Sequence, residues 1–120
     1  MEKSDIAWPQ YAIYILVMLF VFFASTSKAQ ITAKHFNAEW NKSNSVPWFM
    51  DLEDCKTMGL VDIGKNTKAA KKYKIAVVPT IIIFKDGEEV ARFQADLSFK
   101  MVATREEVQD KISEIIMSDF

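Results

Sequence analysis

The chain has 120 residues, half of them hydrophobic, which suffices for one small domain with a single core. Fifteen Lys and Arg oppose 16 Asp and Glu, so no strong basic field marks a nucleic-acid surface. A single Cys excludes an internal disulfide and a cysteine-based metal site, and a single His argues against a histidine-rich metal centre. We therefore expect no metal, no other cofactor and no nucleic-acid partner.

Residues 11–24 form an uncharged apolar run, YAIYILVMLFVFFA. Its 14 residues fit the core of a signal peptide, and they fall short of the roughly 20 that cross a bilayer untilted. Counting outward to Ile6 brings the run toward a spanning length. Trp8, Tyr11 and Tyr14 cluster at one end, as interfacial aromatic residues do. The run predicts a hydrophobic helix that contacts a membrane.

Residues 1–29 are therefore interpreted as a membrane anchor or as a cleaved signal peptide. Small residues at Ser27 and Ala29 would allow cleavage after Ala29, which would export the rest of the chain. Glu2 and Asp5 make a poor positively charged leader, which favours an uncleaved single-pass anchor. Both alternatives stay open at this stage.

Residues 30–120 predict a separate domain of alternating strands and helices. In chain order we expect a strand over 31–37, a helix over 45–55 and a short strand over 59–63. Asn66 then caps a helix through Tyr73, because its side chain can accept from free amides of the first turn.

The last third of the chain predicts a hairpin followed by a helix. Strands over 80–84 and 89–93 flank Asp86-Gly87, a dipeptide that accepts the positive φ values of a tight turn. Thr104 and Glu107 form a capping box for a final amphipathic helix. The whole order predicts a small α/β sandwich.

Two segments of this domain resemble the thioredoxin family. Residues 36–44, FNAEWNKSN, resemble the family's active-site segment, in which Ala-Glu-Trp precedes Cys-Gly-Pro-Cys, and Val78-Pro79-Thr80 leads into the hairpin IIIFKDGEEV. The resemblance covers residues 31–120. It implies a βαβ-ββα sandwich with a central mixed sheet, preceded in this chain by the hydrophobic helix.

The resemblance also implies a binding site. In the family the proline corresponding to Pro79 is cis and lies beside the active site, where the residue before it offers backbone groups to an extended peptide. We therefore expect a shallow groove formed by Trp40, Asn41, Asn44, Val78 and Pro79. The expected partner is a protein or an extended peptide, in addition to the membrane contacted through residues 11–24.

The family's two cysteine positions fall on Asn41 and Asn44 in this chain. Dithiol exchange needs one thiolate to attack and a second thiol to resolve, and neither side chain can do this. His35 aligns with the buried acid of the family. These departures predict a redox-inactive domain, tethered or exported, that acts as a protein-binding or scaffold module.

Two alternatives remain. Cys55 could support thiol–disulfide exchange with an external thiol as resolver, although Glu53 and Asp54 beside it should raise its pKa. A half-buried cysteine that only packs is the simpler interpretation of this residue. The second alternative is a structural subunit of an envelope or particle assembly.

Overall fold

Residues 80–85, TIIIFK, bury apolar side chains on both faces of a strand, so this strand lies inside the sheet. The computed structural model describes residues 29–118. The elements in order are β1 (Ile31–Asn37), two 3₁₀ segments (Glu39–Asn44 and Phe49–Asp51), β2 (Lys56–Asp62), α1 (Thr67–Lys72), β3 (Thr80–Lys85), β4 (Glu88–Gln94) and α2 (Arg105–Met117).

The four strands form one mixed sheet in the order β2-β1-β3-β4. Strands β1 and β2 are parallel, whereas β1–β3 and β3–β4 are antiparallel. The predicted α/β fold with a central mixed sheet is therefore confirmed.

Each face of the sheet has its own apolar cluster, because side chains alternate along a strand. On one face, Ile81 and Ile83 of β3 pack beneath α2, which contributes Val108, Ile112 and Ile115. On the other face, Phe36, Ile82 and Phe84 pack with residues of and around α1. The first cluster is covered by a helix of 13 residues, and the second by a helix of six.

The predicted helix over 45–55 is wrong. Val46, Phe49 and Leu52 are buried as expected, but they follow one another at intervals of three. Backbone hydrogen bonds close turns of the same interval. They run from Phe49 N to Val46 O at 3.4 Å and from Leu52 N to Phe49 O at 3.3 Å. A three-residue interval is the period of a 3₁₀ helix, so the crossover between β1 and β2 contains no α-helix.

The predicted turn and the caps at Asn66 and Thr104 are confirmed, and of the capping box the structure shows the bond to the Thr104 side chain. The Asn66 side chain accepts a hydrogen bond from Ala69 N at 3.0 Å at the start of α1. Asp86 and Gly87 have φ values of 52° and 87°, and they close the β3–β4 hairpin. At α2, the Thr104 hydroxyl accepts from Glu107 N at 3.2 Å.

Within residues 29–118, no helix has both the length and the apolar character needed to cross a bilayer. The hydrophobic helix predicted over residues 11–24 lies outside the described residues. The anchor or signal peptide thus stays a prediction.

Truncating the core contact of α2 should lower the stability of the domain. Ile112 is fully buried, so Ile112→Ala should reduce the free energy of unfolding by about 2–4 kcal/mol through lost burial and a residual cavity. The matched control is Met117→Ala on the same helix, since Met117 is 71% exposed and should change stability by less than about 0.5 kcal/mol. Urea denaturation followed by circular dichroism measures both. Equal losses in the two variants would contradict this assignment of the core.

Candidate functional site

The sheet topology brings the segments of the predicted groove together. Strand β1 runs into the 3₁₀ segment that carries Trp40, Asn41 and Asn44. Strand β3 begins at Thr80, directly after the Val78–Pro79 peptide bond, which is cis. Because Phe36 pairs with Thr80 across the antiparallel β1–β3 ladder, both segments lie at the same end of the sheet.

The Asn41 side chain lies at the centre of this site and is only 3% exposed. Its amide nitrogen faces three acceptors, namely Asn37 Oδ1 at 3.1 Å, Val78 O at 3.3 Å and Phe99 O at 3.1 Å. Its Oδ1 accepts a hydrogen bond from the Asn44 amide at 2.8 Å. The buried amide therefore links β1, the residue before Pro79 and the loop after β4.

Asn37 completes this network, and sequence reasoning missed it. The fully buried Asn37 amide donates to Asn41 O at 3.1 Å and to the Ser45 hydroxyl at 2.9 Å. A buried polar side chain is stable only with such partners. The available signal was a polar residue at the end of a strand, directly after Phe36, which is fully buried.

Among the predicted groove residues, Trp40 is the accessible side chain. It is 68% exposed, whereas Val78 is 3% exposed and Pro79 is also buried. Its ring meets the ring of Phe99 edge-on, with 5.0 Å between centroids. Phe99 is 40% exposed, and the loop that carries it also exposes Leu97. We call the exposed side chains of Trp40 and Phe99 the aromatic surface.

The loop that carries Phe99 is held by its own hydrogen bonds. The Asp96 carboxylate accepts from the backbone N–H groups of Ser98 and Lys100, at 2.8 and 3.3 Å. Asp96 N and Phe99 N add bonds across the turn, and Ala95 N donates to Pro79 O at 3.1 Å. Phe99 has a φ of 64°, a conformation that these bonds and the Asn41 contact maintain. Sequence reasoning gave this loop no role.

Cys55 lies at the other end of the sheet. It precedes β2, whose first residue Lys56 pairs with Thr32 near the start of β1, whereas Asn41 follows the end of β1. At about 3.3 Å per residue, the length of β1 separates the two ends by roughly 20 Å. Cys55 is half-buried against the α2-side core. Burial raises the pKa of its thiol, and the neighbouring Asp54 carboxylate raises it further.

His35 is a buried structural residue beside the site. Its Nε2 accepts a hydrogen bond from Val46 N at 3.5 Å, and its ring packs on Phe49 with 5.1 Å between centroids. Burial lowers the pKa of His35 to about 4. The neutral ring joins β1 to the crossover segment, since a protonated Nε2 could not accept from Val46.

Among residues 29–118, no group of three or more His, Cys, Asp or Glu side chains is placed to hold a metal ion. The polar groups gathered at the site are side-chain amides, backbone carbonyls and one hydroxyl. These groups form hydrogen bonds with one another.

Acid should destabilise the domain through His35. The folded-state pKa is depressed, so this contribution is fully present above the unfolded value of 6.5 and is lost as pH falls toward 4. Between pH 7 and pH 5 the loss from this group should be about 2 kcal/mol. Urea denaturation at both pH values measures it, and His35→Gln serves as the control because it does not titrate. An equal pH dependence in both proteins would contradict the assignment.

Comparison with known proteins places the chain in a family. A family model described as Thioredoxin matches residues 38–107, more than half of the chain. Thioredoxin from Chlamydia pneumoniae is 50% identical over 36 residues, which are 30% of this chain and 35% of that protein. Chloroplastic thioredoxin Y1 from Arabidopsis thaliana is 42% identical over 61 residues, 51% of this chain and 36% of that protein. The chain spans about a third of the length of these curated relatives.

Solved structures similar to this chain are also thioredoxins. Crystalline Schistosoma mansoni thioredoxin is 26% identical with a TM-score of 0.57, over 81% of this chain and 87% of that one. A mutant thioredoxin from Halobacterium salinarum NRC-1 has a TM-score of 0.58 at 21% identity, over 72% and 75% of the two chains, and it supports the fold alone.

These findings correct the function inferred from sequence. The prediction of a redox-inactive binding or scaffold module is wrong, because the curated relatives and the structural neighbours are named thioredoxins. The prediction followed from Asn41 and Asn44 at the family's two cysteine positions and from His35 at the position of its buried acid. With its family model, its mixed sheet and its structural neighbours in agreement, the chain belongs to the thioredoxin family.

Proposed function

We propose that this chain acts on protein substrates and binds an extended segment of them at the aromatic surface beside Pro79. The observation that carries the proposal is the exposed Trp40 ring, braced edge-on by Phe99 above the buried Asn41 amide. Exposed aromatic residues in a fixed position are typical anchors of protein interfaces.

The surroundings of the aromatic surface suit an interface. Glu39 and Lys42 are exposed near Trp40 in sequence, and Lys100 follows Phe99, so exposed charged residues of both signs flank the two aromatic residues along the chain. An apolar centre with a polar rim is the usual anatomy of a binding surface. The hydrogen-bonded loop over 96–100 is already ordered, which reduces the entropy lost on binding.

We further infer that Asn41 and Asn44 occupy the positions where thioredoxins carry their two cysteines. The match of the family model over residues 38–107 supports this alignment. In this alignment, the substrate would contact the edge of the hydrogen-bond network around Asn41. The Cys55 thiol would lie at the other end of the sheet.

Replacing the exposed ring should weaken substrate binding without unfolding the protein. We expect Trp40→Ala to lower affinity for a fluorescent, reduced and alkylated insulin B chain roughly tenfold, since a buried aromatic anchor contributes more than about 1 kcal/mol. Fluorescence anisotropy measures the dissociation constant. Alkylation removes the peptide thiols, so binding is separated from exchange.

The matched control is Val90→Ala. Val90 is 40% exposed on β4 and lies toward the hairpin end, away from Thr80 and Gln94, which pair at the site end. It should change affinity by less than about twofold. Equal effects of the two substitutions, or no binding by the unaltered chain, would overturn the proposed binding surface.

Thiol exchange through Cys55 is a second candidate activity, favoured by the thioredoxin relatives and by the single thiol of this sequence. The Cys55 thiolate would attack one sulfur of a substrate disulfide and release the other as a thiolate. Glutathione would then attack the Cys55 sulfur and release the reduced substrate. A second glutathione would restore Cys55 and leave as oxidised glutathione.

The raised pKa makes this exchange slow near neutral pH, because only the thiolate attacks. Glutathione-dependent reduction of insulin should therefore accelerate as pH rises from 7 to 9 and disappear in Cys55→Ser. Asp54→Asn should increase the rate at pH 7.5 about twofold, since it removes a charge that raises the thiol pKa. Asn also tolerates the φ of 63° at this position.

Glu53→Gln is the control for this experiment, because it removes an equal charge from the adjacent residue. It should leave the rate unchanged, since the Asp54 charge is the one that acts on Cys55. A rate that is the same with and without Cys55 would eliminate the exchange activity.

The location of the domain remains a prediction. We infer from the apolar run over 11–24 that residues 1–29 tether the domain to a membrane, or export it if cleavage follows Ala29.

A further inference from the structure

A pocket of about 360 Å³ lies between strands β1 and β2 and helix α1, on the sheet face opposite α2. It shares no lining residue with the aromatic surface. Phe36, Val61 and Ala69 form its apolar floor, and Lys34, Lys68 and Lys72 surround them. Among the described residues that line it, none is an Asp or Glu.

We propose that this pocket binds a phosphate monoester that carries an apolar body. Three ammonium groups match the nearly two negative charges that such an ester carries near neutral pH, and the floor offers apolar contact for the attached group. Both a phosphorylated small molecule and phosphatidic acid, a lipid whose phosphate is a monoester, have this chemistry.

Lys34 is the most strongly positioned of the three lysines. Its Nζ donates to the Tyr73 hydroxyl at 3.0 Å, and it lies 5.0 Å from the Tyr73 ring centroid and 5.1 Å from that of Phe84. In the described part of the chain, the structure places no carboxylate in an ion pair with it. The two rings hold the ammonium at the pocket and leave its charge uncompensated.

The Tyr73 hydroxyl adds a donor. It accepts from Lys34, so its own hydrogen remains for a ligand oxygen. The same hydrogen bond lowers the pKa of Tyr73, which indicates that the positive field of the lysines reaches the hydroxyl. Lys72 reinforces this field, with its Nζ 5.3 Å from the Tyr73 ring centroid.

A bulge in β2 shapes the wall of the pocket. Lys34 pairs with Met58 but Phe36 pairs with Val61, so β2 contains one extra residue opposite His35. Gly59 lies in this bulge and lines the pocket. A Cβ built on Gly59 would meet no atom within 4 Å, so a side chain there would enter open space. Gly59 therefore contributes only backbone atoms to this wall, between Met58 and Val61.

The test uses the full 120-residue chain in a nonionic detergent with 1-naphthyl phosphate as the soluble probe. Isothermal titration calorimetry measures binding, with 1-naphthol and inorganic phosphate as partial probes. We expect the ester to bind more tightly than either part. Lys68→Gln with Lys72→Gln should weaken binding roughly tenfold, because two charge-assisted contacts are lost.

The matched control is Lys65→Gln with Lys71→Gln. These lysines are exposed in and beside the same helix but do not line the pocket, so the change in net charge is identical. It should alter affinity by less than about twofold.

A second arm distinguishes the two sources of the ester. Flotation with phosphatidylcholine vesicles, with and without phosphatidic acid, measures recruitment of the same variants. Binding of 1-naphthyl phosphate supports a soluble ligand, whereas recruitment that needs both phosphatidic acid and the pocket lysines supports a lipid. No binding in either arm, or equal losses in the two lysine pairs, would overturn the proposal. None of these outcomes bears on the proposed binding of the insulin B chain, because the pocket and the aromatic surface share no residue.

Discussion

The side-chain amide of Asn41 determines the form of the candidate site, because it joins segments that are far apart in sequence. It donates to the carbonyls of Val78 and Phe99, which follow Asn41 by 37 and 58 positions in the chain. It also donates to the side chain of Asn37 at the end of β1. A buried carbonyl that loses its donor costs about 1–3 kcal/mol. The Asn41 amide therefore fixes the relative positions of the Pro79 turn and the Phe99 loop together with the bond from Ala95 N to Pro79 O, and it helps to position the exposed Trp40–Phe99 pair.

The position of this amide network separates the proposed binding surface from the Cys55 thiol. A small polar side chain with every hydrogen-bonding group engaged fills the centre of the site, and Asn44 is bonded to it. The single thiol lies beyond the opposite end of β1, where burial and the Asp54 carboxylate raise its pKa. Any exchange by this chain must therefore begin away from the aromatic surface, and the two surfaces can be altered independently.

Sequence reasoning succeeded where the signal was local. Asn66, Thr104 and Asp86-Gly87 act within a few residues of themselves, so their caps and turn were predictable. The strand pattern and the family motifs together predicted the mixed sheet. The cis peptide bond before Pro79 was implied by the resemblance alone.

The failures arose where tertiary contacts decide the outcome. An interval of three between apolar residues is compatible with an α-helix and with 3₁₀ turns, and Met50, four residues after Val46, is exposed. Phe99 was missed because its role depends on an acceptor contact with Asn41, 58 residues earlier. The extra residue in β2 was missed because a bulge is defined by its pairing with a neighbouring strand.

The two sheet faces are covered by helices of different length, and this explains why the lysine-lined pocket can exist beside an apolar core. Helix α2 is long enough to cover its face, whereas the six residues of α1 leave part of the Phe36 face uncovered. The stem of Lys34 and its contacts with the Tyr73 and Phe84 rings cover some of that surface. The ammonium is therefore held by the packing of the fold itself. A pocket whose charge is fixed in this way is already formed before a ligand arrives, so little free energy is lost in organising it.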